Sequence, residues 1–536
     1  VVWLYEAPVG DGAIPDSLPG YEPLKDDTDI DVRAFETEGA MLDAFIRYID
    51  EETDPDVLTG WNCLPADSRI SMGDGTTKKI ANVEIGDTVV GSAEATPTVT
   101  TVTNKWKSEK EVLEFGLADG TNLRSSGDHR IMVGDDESVD WKRGEEISVG
   151  DFVLKPRVLN VDEERVPRLA DLVPRSNQRF ASTEQVREFK DELPYGAVSE
   201  LSEEFGVAKE TLYHPKPDHW TPQRCAVAAD RYGLALPDGG RVYQRTGFDL
   251  DRELSEQEAY LAGLVVTDGS MSPEDGIRFY NTEEVLHEQF PGDPHLEPDG
   301  KGCYKQNVLD YARMYAFNGL GIPFGDKNAA DIDLSPVFSL PQDHIANFLA
   351  GAIDGDGHVS STVSIAAENE TLGEWYVKLF KRLGVYAERR ENVVRVPGAS
   401  RDLDKLQTKV LPHMSHPEKT DRLSALDGGE SGRSENIPYA LFEAEKGTDE
   451  KRIGQDKHRR GINLKRHETL SDQWEEYVFV EVTGVSRDGV ETTYDIETRT
   501  HNFVAEDCLV HNCEDFDVPY FLDRLEEVDP ETDHDL

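Results

Sequence analysis

Cysteine is scarce: five residues in 536, at Cys63, Cys225, Cys303, Cys508 and Cys513, with no CxxC pair among them. That spacing argues against a zinc site or a disulfide framework. Long apolar runs are missing too. None reaches the roughly 18 residues that a membrane span needs, and the opening residues do not read as a signal peptide. A cytoplasmic protein with no membrane partner is expected. Basic residues are few: Lys and Arg number 56 against 107 Asp and Glu, a formal charge of −51. Disorder is one reading of such acidity. However, 20 Phe, 18 Tyr and 7 Trp run along the whole chain and supply material for cores. The balance fits a halophile's cytoplasm, where molar salt screens the self-repulsion of an acidic surface.

What is present changes texture abruptly at two places. Residues 1–62 read as a strand, an acidic turn-rich stretch, and a helix near Glu38–Ile49 with Met41, Leu42, Phe45, Ile46 and Ile49 on one face. DPDVLTGWN follows as a turn and short strand. From Cys63 to residue 159 the chain is rich in Val, Thr and Gly, in short runs separated by turns, which predicts an all-β module. Residues 160–250 read as helical. Residues 251–433 alternate helices with short strands. Residues 434–473 form a polar linker with a basic cluster at Lys451, Arg452, Lys457, Arg459, Arg460, Lys465 and Arg466. Residues 474–512 return to β texture, and 513–536 are acidic again. One β module is thus expected to be split by an insert and flanked by two pieces of something else.

The edges of that module carry reactive residues: Cys63 at one end, His511-Asn512-Cys513 at the other. A thiol can attack the preceding carbonyl and turn an amide into a thioester, given an acid to protonate the departing nitrogen. An Asn can close its side-chain nitrogen onto its own carbonyl and cut the chain after itself. Enforced geometry gives such intramolecular attack effective molarities of about 10⁵–10⁸ M. Each signal alone is weak; both edges in order are not.

CLPADSRI at 63–70, SSGDHRIMV at 125–133 and YDIETRTHNFVAEDCLVHN at 494–512 resemble the blocks of the intein family. The resemblance implies a Hint horseshoe of β-strands and self-splicing without a cofactor. Cys63 would make the N–S shift, with His129 protonating its amide nitrogen. Ser126 stands where the family's Thr-x-x-His pair has threonine. Cys513 would attack the thioester, with Asp495 helping to activate its thiol. Asn512 would cyclise with help from His501 and His511. Cys508, close to the junction, reads as a packing residue. Two alternatives stay open: a DNA-binding insert that never splices, and cleavage without ligation, which has no use for Asn512-Cys513.

Joining 62 to 513 creates Asn-x-x-x-Phe-Asp from Asn62, Phe516 and Asp517. It resembles the second exonuclease motif of archaeal family B DNA polymerases, which implies α/β exonuclease fragments at both ends and a metal-binding role for Asp517. The alternative is a generic turn and strand.

Within the insert, LAGLVVTDGSMS at 261–272 and LAGAIDGDGHVS at 349–360 repeat. Each is followed by Leu-Gly and a β-branched residue, at 320–322 and 383–385. Ser255 and Glu258 form a capping box for the first motif helix. The small Ala262 and Gly263 allow close helix packing, which sets Asp268 and Asp356 at neighbouring helix C-termini. Carboxylates there oppose the dipole and suit shared divalent metals in phosphodiester hydrolysis. The repeat resembles LAGLIDADG homing endonucleases, implying an α/β domain of two pseudo-symmetric halves. The chain would act as a monomer on double-stranded DNA (the intein-less polymerase gene) with Mg2+ or Mn2+. Lys327 is the candidate basic residue of one half and Lys419 a weaker one of the other; either also reads as a solvated surface charge. Residues 197–213 resemble a helix-turn-helix offering Lys209 and Thr211 to DNA, or an ordinary helical hairpin.

Overall fold

The computed structural model describes residues 63–135, 138–161, 163–299, 302–396, 400–426 and 474–512, with short strands at 2–5, 32–35, 58–59, 436–438, 461–463 and 515–516. The expectations for Glu38–Ile49, the basic cluster, Asn62, Cys513 and the side chain of Asp517 lie outside the described residues. Two compact units emerge, one of 1–62 with 513–536 and one of 63–512. In the first, Val2–Tyr5 pairs parallel with Val32–Phe35, and Leu58–Thr59 pairs antiparallel with Asp515–Phe516.

In the second unit, twelve strands form one connected sheet system. They are β1 (Leu64–Pro65), β2 (Arg69–Ser71), β3 (Thr77–Lys79), β4 (Thr88–Ala93), β5 (Thr96–Leu117), β6 (Asn122–Ser126), β7 (Arg130–Gly134), β8 (Val139–Arg143), β9 (Phe152–Pro156), β10 (Tyr477–Thr498), β11 (Asn502–Ala505) and β12 (Cys508–His511). Their order is β3-β2-β11-β12-β7-β9-β10-β5-β4, with β8 on β7, β1 on β10 and β6 on β5. The predicted split is real. β5 and β10 pair antiparallel from Val482↔Leu117 to Thr498↔Val102, with three register shifts. Thr and Val dominate both strands, because β-branched side chains suit a pleated, half-buried surface. Each register shift adds local twist and bend to the ribbon.

The insert carries its repeat into three dimensions. Helix α1 (Glu256–Asp268) is followed by strands 269–272, 276–281, 296–298 and 304–308. Helix α2 (Gln342–Asp356) is followed by strands 357–359, 363–366, 388–390 and 393–396, with helix α3 (Glu370–Arg382) between the second and third. Both four-stranded sheets are ordered first, second, fourth, third. Ser255 and Glu258 cap α1 reciprocally as expected.

The splicing-like strands and the insert share a hydrophobic core. Val90, Met132, Phe152 and Leu154 belong to the same buried cluster as α1 and α2. A fully buried ion pair, Arg157–Asp402 at 2.6 Å, joins the end of β9 to the insert. Residues 178–234 bury their own small core around Phe189, Leu201, Leu212 and Trp220. There Ala197–Glu204 and Lys209–Tyr213 form two helices joined through Gly206, at φ 61. The second has five residues, barely more than one turn.

Candidate functional site

Register brings both edges of the 63–512 unit to the same turn. β1 lies on β10 through Leu64↔Tyr494, which sets Cys63 beside Asp495. The turn after β6 holds Cys63 from the other side. The Cys63 N–H donates to Ser126 Oγ at 3.0 Å, and the Ser126 N–H donates to the Cys63 carbonyl at 2.8 Å. The His129 N–H closes the turn on the Ser126 carbonyl at 3.1 Å, with the His129 side chain fully buried. β7 then pairs with β12 through Ile131↔Val510, two residues before Asn512. Residues 126–131 therefore touch both edges.

Cys63 is 1% exposed, and its Sγ lies 3.0 Å from Ser108 Oγ, which lies 3.0 Å from Thr493 Oγ1. Burial pushes the thiol up and the Asp495 carboxylate adds to the rise. The Ser108 and Thr493 hydroxyls and the Lys110 ammonium pull it back down. Neither hydroxyl was anticipated. Thr493 stands two residues before Asp495 and so shares its strand face, which was a usable signal. Ser108 had none.

At the other edge, His511 Nδ1 lies 2.7 Å from the Asn512 main-chain oxygen. The His511 ring packs edge-on against Trp141 of β8, centroids 4.9 Å apart. Trp141 went unnoticed in the sequence. Asn512 is fully buried; its carboxamide nitrogen donates to the His501 carbonyl and its oxygen accepts from the Thr498 N–H at 3.3 Å. The His501 ring is exposed and its φ is 56, so what it presents to Asn512 is main chain. A His on a scissile carbonyl and a pinned carboxamide are the parts that Asn cyclisation needs. Cys508 is buried as expected, its thiol pushed up to about 12 by burial.

The repeat builds a second site. α1 and α2 touch backbone to backbone. A Cβ at Gly263 would lie 2.0 Å from the Phe348 carbonyl oxygen, and one at Gly351 would lie 2.1 Å from that of Tyr260. This reciprocal contact sets Asp268 and Asp356 side by side at the two helix ends. Asn281 Nδ2 donates to Asp268 at 2.6 Å. Burial, with the Asp356 carboxylate next, raises Asp268 to about 7.

Lys327 and Lys419 are not the solvated charges that one reading allowed. Lys327 Nζ donates to the carbonyls of Val265, Val266 and Thr267 at 3.2, 2.9 and 2.5 Å. Lys419 Nζ donates to those of Ile353, Asp354 and Gly355 at 3.0, 2.7 and 2.7 Å. The two are equivalent, so Lys419 is no weaker a candidate than Lys327. Each ammonium caps orphan carbonyls at a helix C-terminus and counters the dipole beside its aspartate. Paired carboxylates there fit a hard divalent cation, which takes one or two carboxylates and completes its shell with water and phosphate oxygens. Lys209 lies over the Tyr213 ring at 5.8 Å, and Thr211 is half-buried.

No helix among the described residues is long and apolar enough to cross a membrane. The chain is similar to a curated A-type ATP synthase protein of Methanopyrus kandleri, at 28% identity over 338 residues, covering 58% of this chain and 32% of that one. The chain thus spans about a third of that relative's length. The aligned stretch is far longer than 1–62 and 513–536 together, so the likeness falls mainly within 63–512. Among solved structures, the gp41-1 intein is similar at 19% identity and a TM-score of 0.15, covering 18% of this chain and 70% of that one. A DnaB intein from Synechocystis is similar at 21% identity and a TM-score of 0.17, with the same two coverages. Scores this low carry no weight. A family model described as the intein splicing domain matches residues 70–512, well over half of the chain. With that match, and with Cys63 and Asn512 held at the two ends of one β module, the chain belongs to the intein splicing domain family, whose activity is protein self-splicing.

Proposed function

We propose that the chain is an unspliced precursor in which 63–512 excises itself and joins Asn62 to Cys513. The observation that carries this reading is the 2.7 Å contact of His511 Nδ1 with the Asn512 carbonyl, beside a pinned carboxamide. Cys63 makes the first acyl shift, and Ser126 and His129 attend its amide nitrogen. Cys513 takes the acyl group, with Asp495 near both sulfurs' path. Asn512 then cyclises under His511, while His501 holds its carboxamide through main chain. An S–N shift restores the peptide bond, and no cofactor takes part.

The insert is a nested homing endonuclease in this reading. Asp268 and Asp356 would hold Mg2+ or Mn2+, which would polarise a phosphate of double-stranded DNA, and Lys327 and Lys419 would set the charge around them. The matched sheets and the reciprocal glycine contact support a pseudo-dimer within a monomer. The host would be a family B DNA polymerase of a haloarchaeon, only a fragment of whose exonuclease region, including Asp517, is in the flanks. Pairing of Leu58–Thr59 with Asp515–Phe516 supports flanks that form one fold once joined. Expression in high salt followed by intact-mass measurement tests the reading. The expected products are free 63–512 and ligated flanks. A Cys63→Ala, Asn512→Ala double variant that still splices would overturn it. Asp268→Ala with Asp356→Ala should splice normally and lose metal-dependent DNA cleavage.

A further inference from the structure

The first acyl shift poses a local problem. Cys63 must lose its thiol proton while 1% exposed and facing the buried carboxylate of Asp495 on β10. The cation facing it is Lys110 of β5, itself held by Asp128 at 2.5 Å. A thiolate in that setting needs hydrogen bonds aimed at sulfur. Two hydroxyls stand in line from it. Ser108 of β5 touches Sγ, and Thr493 of β10 touches Ser108, each at 3.0 Å. Thr493 Oγ1 also donates to the Ser108 main-chain carbonyl at 3.3 Å.

We propose that Ser108 and Thr493 form a two-hydroxyl relay that serves Cys63 in both of its protonation states. Ser108 is a catalytic residue because it touches the reacting sulfur; Thr493 is a positioning residue behind it. The proposal rests on the splicing reading above. Each hydroxyl has one hydrogen, so the chain has two orders. At rest the thiol donates to Ser108, Ser108 to Thr493, and Thr493 to the carbonyl. In the attack the Ser108 hydrogen turns to the sulfur and the Thr493 hydrogen turns to Ser108 Oγ. The Sγ–H bond breaks, Sγ bonds to the carbonyl carbon of residue 62, and the C–N bond to Cys63 breaks. The nitrogen takes up the proton, so thiol and amide become thioester and amine with no other reactant. Ser126 serves the nitrogen, not the sulfur, so the two roles are separate.

The test uses the full chain carrying Asn512→Ala, in which only the first step proceeds. Hydroxylamine cleavage at the 62–63 junction is followed by intact mass from about pH 6 to 9, bracketing a perturbed thiol. Ser108→Thr and Ser108→Val are compared because they match in shape and differ in the hydroxyl. Threonine should keep the parent profile. Valine should cleave about tenfold slower near neutral pH, with its midpoint moved up by ~1 pH unit. Thr493→Val should slow the step by about threefold, and adding it to Ser108→Val should change nothing more. Equal rates and midpoints for the threonine and valine variants would overturn the relay. A parent Asn512→Ala chain that never cleaves counts instead against the splicing reading.

Discussion

Lys381, on helix α3 of the insert, places its ammonium 2.5 Å from the carboxylate of Asp507, in the turn between β11 and β12. That turn leads directly into His511 and Asn512. Its residues Glu506 and Asp507 sit at φ 46 and 66, unusual for side-chain-bearing residues, and Arg69 holds Glu506 from β2 at 3.3 Å. The insert thus braces the hairpin that presents the C-terminal reaction.

The brace yields the first prediction. Lys381 is 1% exposed whereas Asp507 is 38% exposed, so Lys381→Met leaves a carboxylate that water can reach. The turn should loosen without the module unfolding, and cleavage after Asn512 should slow by about three- to tenfold. Arg69→Ala, which breaks an exposed pair, should have a far smaller effect. Rates of Asn512-dependent cleavage by gel or mass decide between them; equal slowing by both would remove the special role of Lys381.

His511→Ala should slow that same cleavage by about 10²–10³-fold, the range for losing one donor on a developing oxyanion. Thioester formation at Cys63, measured by thiol-induced release, should be unaffected. Loss of both would mean that His511 is structural. Trp141→Ala should weaken the C-terminal step alone, because Trp141 packs on the His511 ring and makes no described contact with Cys63.

The helix crossing yields the third prediction. A Cβ at Gly263 or Gly351 meets the opposite backbone at 2.0 or 2.1 Å, which no side-chain rotation relieves. Gly263→Ala or Gly351→Ala should force the helices apart and cost about 1–3 kcal/mol of stability. It should also separate Asp268 from Asp356. Thermal melting of 63–512 would show the loss; unchanged melting would mean that the contact yields.

Glu258 gives a pH dependence. It is 2% exposed at the start of α1 and bonded to Arg252 at 2.6 Å and Arg313 at 3.0 Å. Burial raises its carboxyl pKa, but the Arg252 hydrogen bond and the charges around it win, and the net shift is downward. A carboxylate depressed in the fold stabilises it fully above the unfolded value of about 4.3, and that stability drains away as pH falls from there through the folded pKa. Glu258→Gln should melt lower than the parent at neutral pH, and the gap should close on acidification. A constant gap would assign the loss to packing.

Much of the chemistry was legible in residue order. Cys63 and His511-Asn512-Cys513 could be read because thiol–acyl exchange and Asn cyclisation depend on which residues are covalently adjacent. The repeat at Asp268 and Asp356 was legible for a related reason: a helix that packs backbone to backbone tolerates only small residues at fixed spacing. What the chain order could not reveal is where distant strands cross. Ser108 and Thr493 meet Cys63 only because β5 and β10 are in that register. Lys327 and Lys419 look like surface lysines until the loops that carry them return to the helix ends. The joining of the two modules through Arg157–Asp402 and Lys381–Asp507 is likewise a property of packing. Local covalent neighbours are decided by sequence; hydrogen bonds and ion pairs between residues hundreds apart are decided by burial and register, which exist only once the chain has folded.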